Sequence, residues 1–267
     1  MRQILAIILL FCILFNVQAQ SPGKANNKIP GGEAFQSLAF DGSWNRFSSP
    51  KAIYYDGKFK RTYAGWVDNH GDILIGYYDH DNVKTQTHLL IDRLQKDDRF
   101  NPAMVMDQSG KLRVFISTQS GDIQLYSAKL AEDITSWEAP VTIAAGKTWQ
   151  DHPDLHPVYL SEENKLYLFW LDEGGIPTYS SSDSDGRNWT AERKIPVASD
   201  ISSNASINVK SNRINLIHLA FSSGAGVNYL SYQGGYFYTV NKQRLGSNSL
   251  PDNQGMISMA HTGTDNQ

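Results

Sequence analysis

Apolar and polar residues alternate along this chain in short runs, each bounded by Gly, Asn, Asp or Ser. That is the pattern of strands buried on one side and separated by tight turns. It predicts strands at residues 51–55, 62–67, 72–78, 103–107, 111–117, 123–128, 158–160, 165–170, 178–182, 214–221 and 236–240. Apolar residues at helical spacing are absent, and residues 130–137 have room for one helical turn at most. The pattern predicts an all-β fold.

One short unit, a turn residue followed by alternation, recurs four times: Gly71-Asp72-Ile73-Leu74-Ile75, Gly110-Lys111-Leu112-Arg113-Val114, Asn164-Lys165-Leu166-Tyr167-Leu168 and Asn212-Arg213-Ile214-Asn215-Leu216. The copies start 39, 54 and 48 residues apart. A period of roughly 40–50 residues built on strands predicts the four-stranded blades of a β-propeller. Trp137 and Trp189, each opening a Trp-x-Ala-x-x-x-Ile sequence, are 52 residues apart. They are expected to fill the wedge between neighbouring sheets. Blades are predicted at residues 51–92, 97–146, 151–199 and 203–246, with residues 255–259 opening a fifth. Four to five blades make either a five-bladed ring or a truncated copy of a larger, seven-bladed one, and truncation is the favoured expectation.

The N-terminus changes the picture of where this fold works. Arg2, an apolar run over residues 4–15 and Val17-Gln18-Ala19 form a secretory signal, with cleavage expected after Ala19. The expected layout is a signal peptide at 1–19, a flexible leader and domain start at 20–46, and the propeller at 47–267. The chain is expected to be secreted or periplasmic, without a membrane span. Cys12, the single cysteine, lies within that signal, so disulfides and thiolate chemistry are excluded from the mature chain. A pI of 6.1 and a net charge of −3 supply no field for nucleic acid. The 13 Tyr, 11 Phe and 6 Trp suit both strand packing and stacking on sugar rings.

Two segments carry specific motifs. Ser182-Asp183-Ser184-Asp185-Gly186-Arg187-Asn188-Trp189 nearly matches the Asp-box, Ser-x-Asp-x-Gly-x-Thr-Trp, with Ser184 at the Asp position and Asn188 at the Thr position. Asp97-Asp98-Arg99-Phe100-Asn101-Pro102-Ala103 opens the second blade and is followed by Ser117-Thr118-Gln119. With Thr62-Tyr63-Ala64-Gly65-Trp66-Val67-Asp68, Asp133-Ile134-Thr135-Ser136-Trp137 and the stretch from Pro157 to Trp170, these resemble the BNR/Asp-box repeat family that includes the ulvan lyases. The likeness runs from about Phe47 to Gly246. It implies a seven-bladed propeller and the cleavage of uronate-containing polysaccharides by β-elimination.

The resemblance also implies a site. The family pattern reads Asp-Asp-His-x-x-Pro-Ala, with a second histidine about twenty positions later. Here Arg99 and Gln119 stand at those positions. The family's Arg-Pro-Tyr appears as Ala205-Ser206-Ile207, and Phe-Trp-Arg as Phe169-Trp170-Leu171. A lyase must neutralise a carboxylate, withdraw a proton and protonate the leaving oxygen. Arg99 suits the first task, Gln119 only hydrogen bonds, and Tyr179 is a candidate phenolic base. Asp98, Asn101, His152, His156 and His218 are candidate substrate contacts. No cofactor is expected: the resemblance allows a structural Ca or Zn, but no ligand set stands out here. The expected partner is an acidic polysaccharide or other glycan. The alternatives are a non-catalytic glycan-binding propeller and a sialidase-like hydrolase.

Overall fold

The computed structural model describes residues 37–39, 41–43, 51–148, 153–195, 207–223, 226–242 and 244–245. All its strands fall in the second of the chain's two units, Leu38–Gln267. They form four four-stranded sheets, each an antiparallel meander in chain order. Blade 1 holds β1 (Lys51–Asp56), β2 (Lys60–Val67), β3 (Ile73–Asp79) and β4 (Lys84–Ile91). Blade 2 holds β5 (Ala103–Met106), β6 (Leu112–Ser117), β7 (Ile123–Ser127) and β8 (Val141–Ala144). Blade 3 holds β9 (His156–Leu160), β10 (Lys165–Leu171), β11 (Pro177–Asp183) and β12 (Arg193–Lys194). Blade 4 holds β13 (Ile207–Ser211), β14 (Leu216–Ser223), β15 (Gly226–Gln233) and β16 (Tyr236–Thr239).

The first strands are neighbours from blade to blade, β1 against β5, β5 against β9 and β9 against β13. They begin at Lys51, Ala103, His156 and Ile207, 52, 53 and 51 residues apart by subtraction. The structural period is therefore tighter than the spacing of the four sequence copies. Three copies open the second strand of their blades, at β6, β10 and β14, but Gly71 opens the third strand, β3. Its counterparts are Gly121 and Gly175. The three glycine N–H groups donate to Asp68, Thr118 and Asp172 at 3.1, 3.0 and 2.9 Å in matching turns.

Packing follows the alternation. Tyr63, Ile75, Met104 and Val114 fill the space between blades 1 and 2. Phe115, Leu125, Leu168 and Trp170 fill that between blades 2 and 3, and Phe169, Tyr179, Leu219 and Tyr232 that between blades 3 and 4. Trp137 and Trp189 pack against these cores, and each indole N–H donates 2.9 Å to the carbonyl three residues back, Ile134 and Gly186. The turn acceptor is not Ser184. Asp185 Oδ1 takes the Arg187 N–H at 3.0 Å, as Asp133 Oδ1 takes that of Thr135 at 3.0 Å. Both carboxylates stand four residues before their Trp, so the position shifts by one from the motif. The proposed fifth blade at residues 255–259 lies outside the described residues.

Candidate functional site

The first strands of the blades all start at one face, and the chain crosses that face as it passes from each blade to the next. Before β5 it forms a short 3-10 turn, Asp98–Phe100. Asp97 caps it: its Oδ1 accepts the Arg99 N–H at 3.0 Å, leaving the side chain at the turn's start. Phe100 is buried beneath. Asn101, also buried, accepts from Val67 N–H at 3.0 Å and donates to Ser43 O at 3.1 Å. It fastens the turn to blade 1, which is a positioning role and not an open sugar contact.

On this base the polar groups converge. Arg99 grips Asp97 with two nitrogens, Nε to Oδ1 at 2.9 Å and Nη2 to Oδ2 at 2.7 Å. Gln119, on the turn between β6 and β7, donates Nε2 to the same Oδ2 at 2.9 Å. Gln95 fixes that turn, accepting the Gln119 N–H at 2.9 Å and donating to Ser117 O at 3.0 Å. The hydrogen bonds from Arg99 hold the Asp97 carboxyl down at about 2, helped by the backbone N–H and Gln119 and opposed by burial. The array is a fixed cation, a fixed anion and an amide. It offers hydrogen bonds to hydroxyls and, near neutral pH, no exchangeable proton.

A second cluster joins three blades at the same face. Lys51 opens β1, and its ammonium lies 3.7 Å from Asp154 Oδ1 and donates to Leu155 O. His156 opens β9 with Nε2 3.0 Å from the same Asp154 oxygen, yet that nitrogen makes no hydrogen bond of acceptable geometry. Burial lowers the Lys51 pKa, opposed by Asp154. Burial and then the Lys51 charge lower that of His156, opposed by Asp154 and the Ile207 backbone of blade 4. Asp154 sits at φ +46, an uncommon backbone conformation for an L-residue. The structure thus brings Lys51 and Asp154 to His156, two residues that the motifs did not single out. The strand-start period, on which Lys51 and His156 both fall, is the signal that marks them.

The other candidates lie elsewhere. Tyr179 is buried in the core between blades 3 and 4, its ring 5.7 Å from Phe169 and 5.4 Å from Phe237, and is remote from service as a base. His218, half-buried on β14, stacks on Tyr229 at 5.7 Å and shares a short hydrogen bond with its hydroxyl. It alternates with Ile217 and Leu219 and so occupies the face away from the blade 3 core. The backbone of Asp98 lies within the 3-10 turn. His152 and the Ala205-Ser206 segment lie outside the described residues. Among the described residues no group of three or more His, Cys, Asp or Glu is placed to hold a metal ion, and no helix is long and apolar enough to cross a membrane.

Fold and site together define a β-propeller whose polar groups gather where its first strands begin. The model of the BNR repeat-containing family matches residues 61–244. The chain belongs to that family. No curated protein matches the sequence. Among solved structures, one similar fold is an ulvan lyase of a new polysaccharide lyase family, bound to a GlcA(1-4)Rha3S unit. It has a TM-score of 0.62 and 17% identity over 80% of this chain and 59% of that one. A lectin from Burkholderia pseudomallei gives 0.57 and 14% over 81% and 59%. A lectin in complex with α-methyl fucoside gives 0.54 and 14% over 73% and 65%. This chain spans less than two thirds of the length of each.

Proposed function

We propose that this protein is an exported glycan-binding propeller, related to polysaccharide lyases, that holds uronate-containing polysaccharide without cleaving it at the Arg99 site. One observation carries this reading: Arg99, Gln119 and Asp97 form a hydrogen-bonded array with no proton to exchange near neutrality, where the lyase pattern has histidines. The Arg99 side chain remains 42% exposed, so its guanidinium is within reach of a sugar carboxylate. Similar folds in a lyase and in two lectins support a carbohydrate partner. Arg2, the apolar run after it and Val17-Gln18-Ala19 support export with cleavage after Ala19.

Electrophoresis through gels carrying ulvan or a neutral polymer tests the reading. Retardation by ulvan that is lost in Arg99→Ala and Gln119→Ala supports it. Free migration of the wild type in both gels contradicts it.

Lys51 and His156 favour a second reading, in which elimination survives on different residues. Burial lowers the Lys51 pKa, so its amine can withdraw a proton and pass it to the leaving oxygen beside the His156 ring, and Lys51 is 30% exposed. Formation of an unsaturated uronate that Lys51→Met abolishes would establish it.

A further inference from the structure

At the opposite face of the propeller the blades are tied by a repeated contact. Arg61 on β2, Arg113 on β6 and Tyr167 on β10 are 52 and 54 residues apart, and each reaches toward the hairpins of the next blade. Arg61 Nη1 donates to Glu132 O at 3.1 Å. Arg113 donates to the carbonyls of Ser184 at 2.8 Å and Asp185 at 3.2 Å. The Tyr167 hydroxyl meets that of Tyr232 at 3.0 Å.

The flanks of these contacts differ. The Arg61 guanidinium is sandwiched between Phe59 and Tyr77, 4.0 and 3.9 Å from the ring centroids. Glu132 closes the same place by accepting from Lys58 N–H at 2.6 Å and Phe59 N–H at 3.0 Å. Around Tyr167 the ring of Tyr232 and the carboxylate of Glu163 fill the corresponding space. Around Arg113, Lys111 stands where Phe59 stands beside Arg61, two residues earlier. Leu125, paired with Phe115, stands where Tyr77 is paired with Tyr63. The aromatic sandwich is missing, and a cavity of about 400 Å³ opens between blades 2 and 3.

This cavity is built and polar. Its floor is the ion pair of Arg113 and Asp107, 2.8 Å long and only 5% and 4% exposed. Asp107 Oδ1 also takes the N–H groups of Ser109 at 2.9 Å and Lys111 at 3.0 Å, which fixes that wall. Across the cavity the Tyr159 hydroxyl lies 3.2 Å from Gln108 Oε1 and 2.8 Å from Asn164 Oδ1. The phenol has one proton and faces two exposed amide oxygens, so it donates to one of them at a time. The lining carries Asp107 and Asp185 against Lys111 and Arg113, so its charges cancel. A volume in the small-ligand range, no net charge, amides, a carboxylate and one ring edge match a molecule rich in hydroxyls.

We propose that this inter-blade cavity binds a single neutral sugar ring, at a second site on the face opposite Arg99 and Gln119. A sugar hydroxyl bonds the Tyr159 hydroxyl beside the amide oxygens of Gln108 and Asn164, and Lys111 and Asp185 grip neighbouring hydroxyls.

The test is calorimetric titration of the full chain with the methyl glycosides of glucose, galactose, mannose and fucose. One of them is expected to bind. Tyr159→Phe is expected to weaken that binding about fivefold, the loss of one net hydrogen bond. Lys111→Phe, which restores the aromatic of blade 1, is expected to abolish it. Arg99→Ala is expected to leave it unchanged while weakening retention by ulvan, which separates this site from the one above. Circular dichroism confirms folding, and if Lys111→Phe does not fold, Tyr159→Phe decides. Binding by no glycoside, or binding indifferent to both cavity substitutions, overturns the proposal.

Discussion

Arg99 and Gln119 meet on a single carboxylate oxygen: the guanidinium Nη2 lies 2.7 Å and the amide Nε2 2.9 Å from Asp97 Oδ2. Twenty residues separate them in sequence, and the turn before β5 and the turn after β6 bring them together. Asp97 is therefore the keystone of the site. Asp97→Ala is expected to abolish retention by ulvan as fully as the loss of Arg99 itself, with the fold retained in circular dichroism. Retention at the wild-type level would show that the array is incidental to binding.

The same carboxylate sets an acid limit. Its folded pKa, about 2, lies below the unfolded value near 3.8. A depressed carboxylate contributes stability that is complete above the unfolded pKa and lost as pH falls through the folded one. Stability should thus fall between about pH 4 and pH 2, and the Asp97→Asn variant should show a shallower fall. Denaturant melts across that window measure it.

His156 works in the opposite part of the scale. Burial lowers its pKa below the ordinary 6.5, so the unfolded chain takes up a proton first as pH falls. Stability is complete above about pH 6.5 and declines below it, until the folded imidazole also protonates. His156→Gln should flatten the change between pH 7 and pH 5. The side chains facing this imidazole are Lys51 and Asp154. An unchanged slope in the variant would assign the decline to another group.

Gly121 carries the turn that aims Gln119. It sits at φ +93, and a Cβ there would lie 1.9 Å from the Lys147 carbonyl oxygen. Gly121→Ala should cost about 2 kcal/mol or more in stability and displace Gln119, so that glycan retention falls with it. Thermal melts and gel retardation read the two effects separately.

Arg113→Ala leaves Asp107 buried without its cation. Removing one partner of a buried pair typically costs about 3–5 kcal/mol. A loss of that size in denaturant melts is expected, well above the ~0–1 kcal/mol typical of exposed pairs. A loss under about 1 kcal/mol would mean that the pair is solvated.

Much of the fold was legible because half-buried strands alternate: β5, β6, β10 and β11 fall within a residue or two of their predicted positions. Three of the four outermost strands were not legible, β4, β8 and β12, whereas β16 falls within its predicted positions. β4 reads Lys-Thr-Gln-Thr-His-Leu-Leu-Ile and is exposed along its first half, so no alternation marks it. β12 is two exposed charged residues. At the site, Arg99 and Gln119 stood out because a motif frames them. Lys51 did not, since a lysine at a strand start has the appearance of a solvated edge until the fold sets Asp154 and His156 against it. Tyr179 was misplaced for the converse reason. A tyrosine in an alternating strand carries no mark of which side it faces, and here it faces the core.

The central claim is that this propeller binds uronate polysaccharide and that its Arg99–Asp97–Gln119 array does no elimination. The most direct measurement incubates the purified protein with ulvan and follows ultraviolet absorbance of the unsaturated uronate product, beside gel retardation on the same sample. Retardation with flat absorbance is the predicted result. A rise in absorbance that Arg99→Ala or Gln119→Ala abolishes would contradict it.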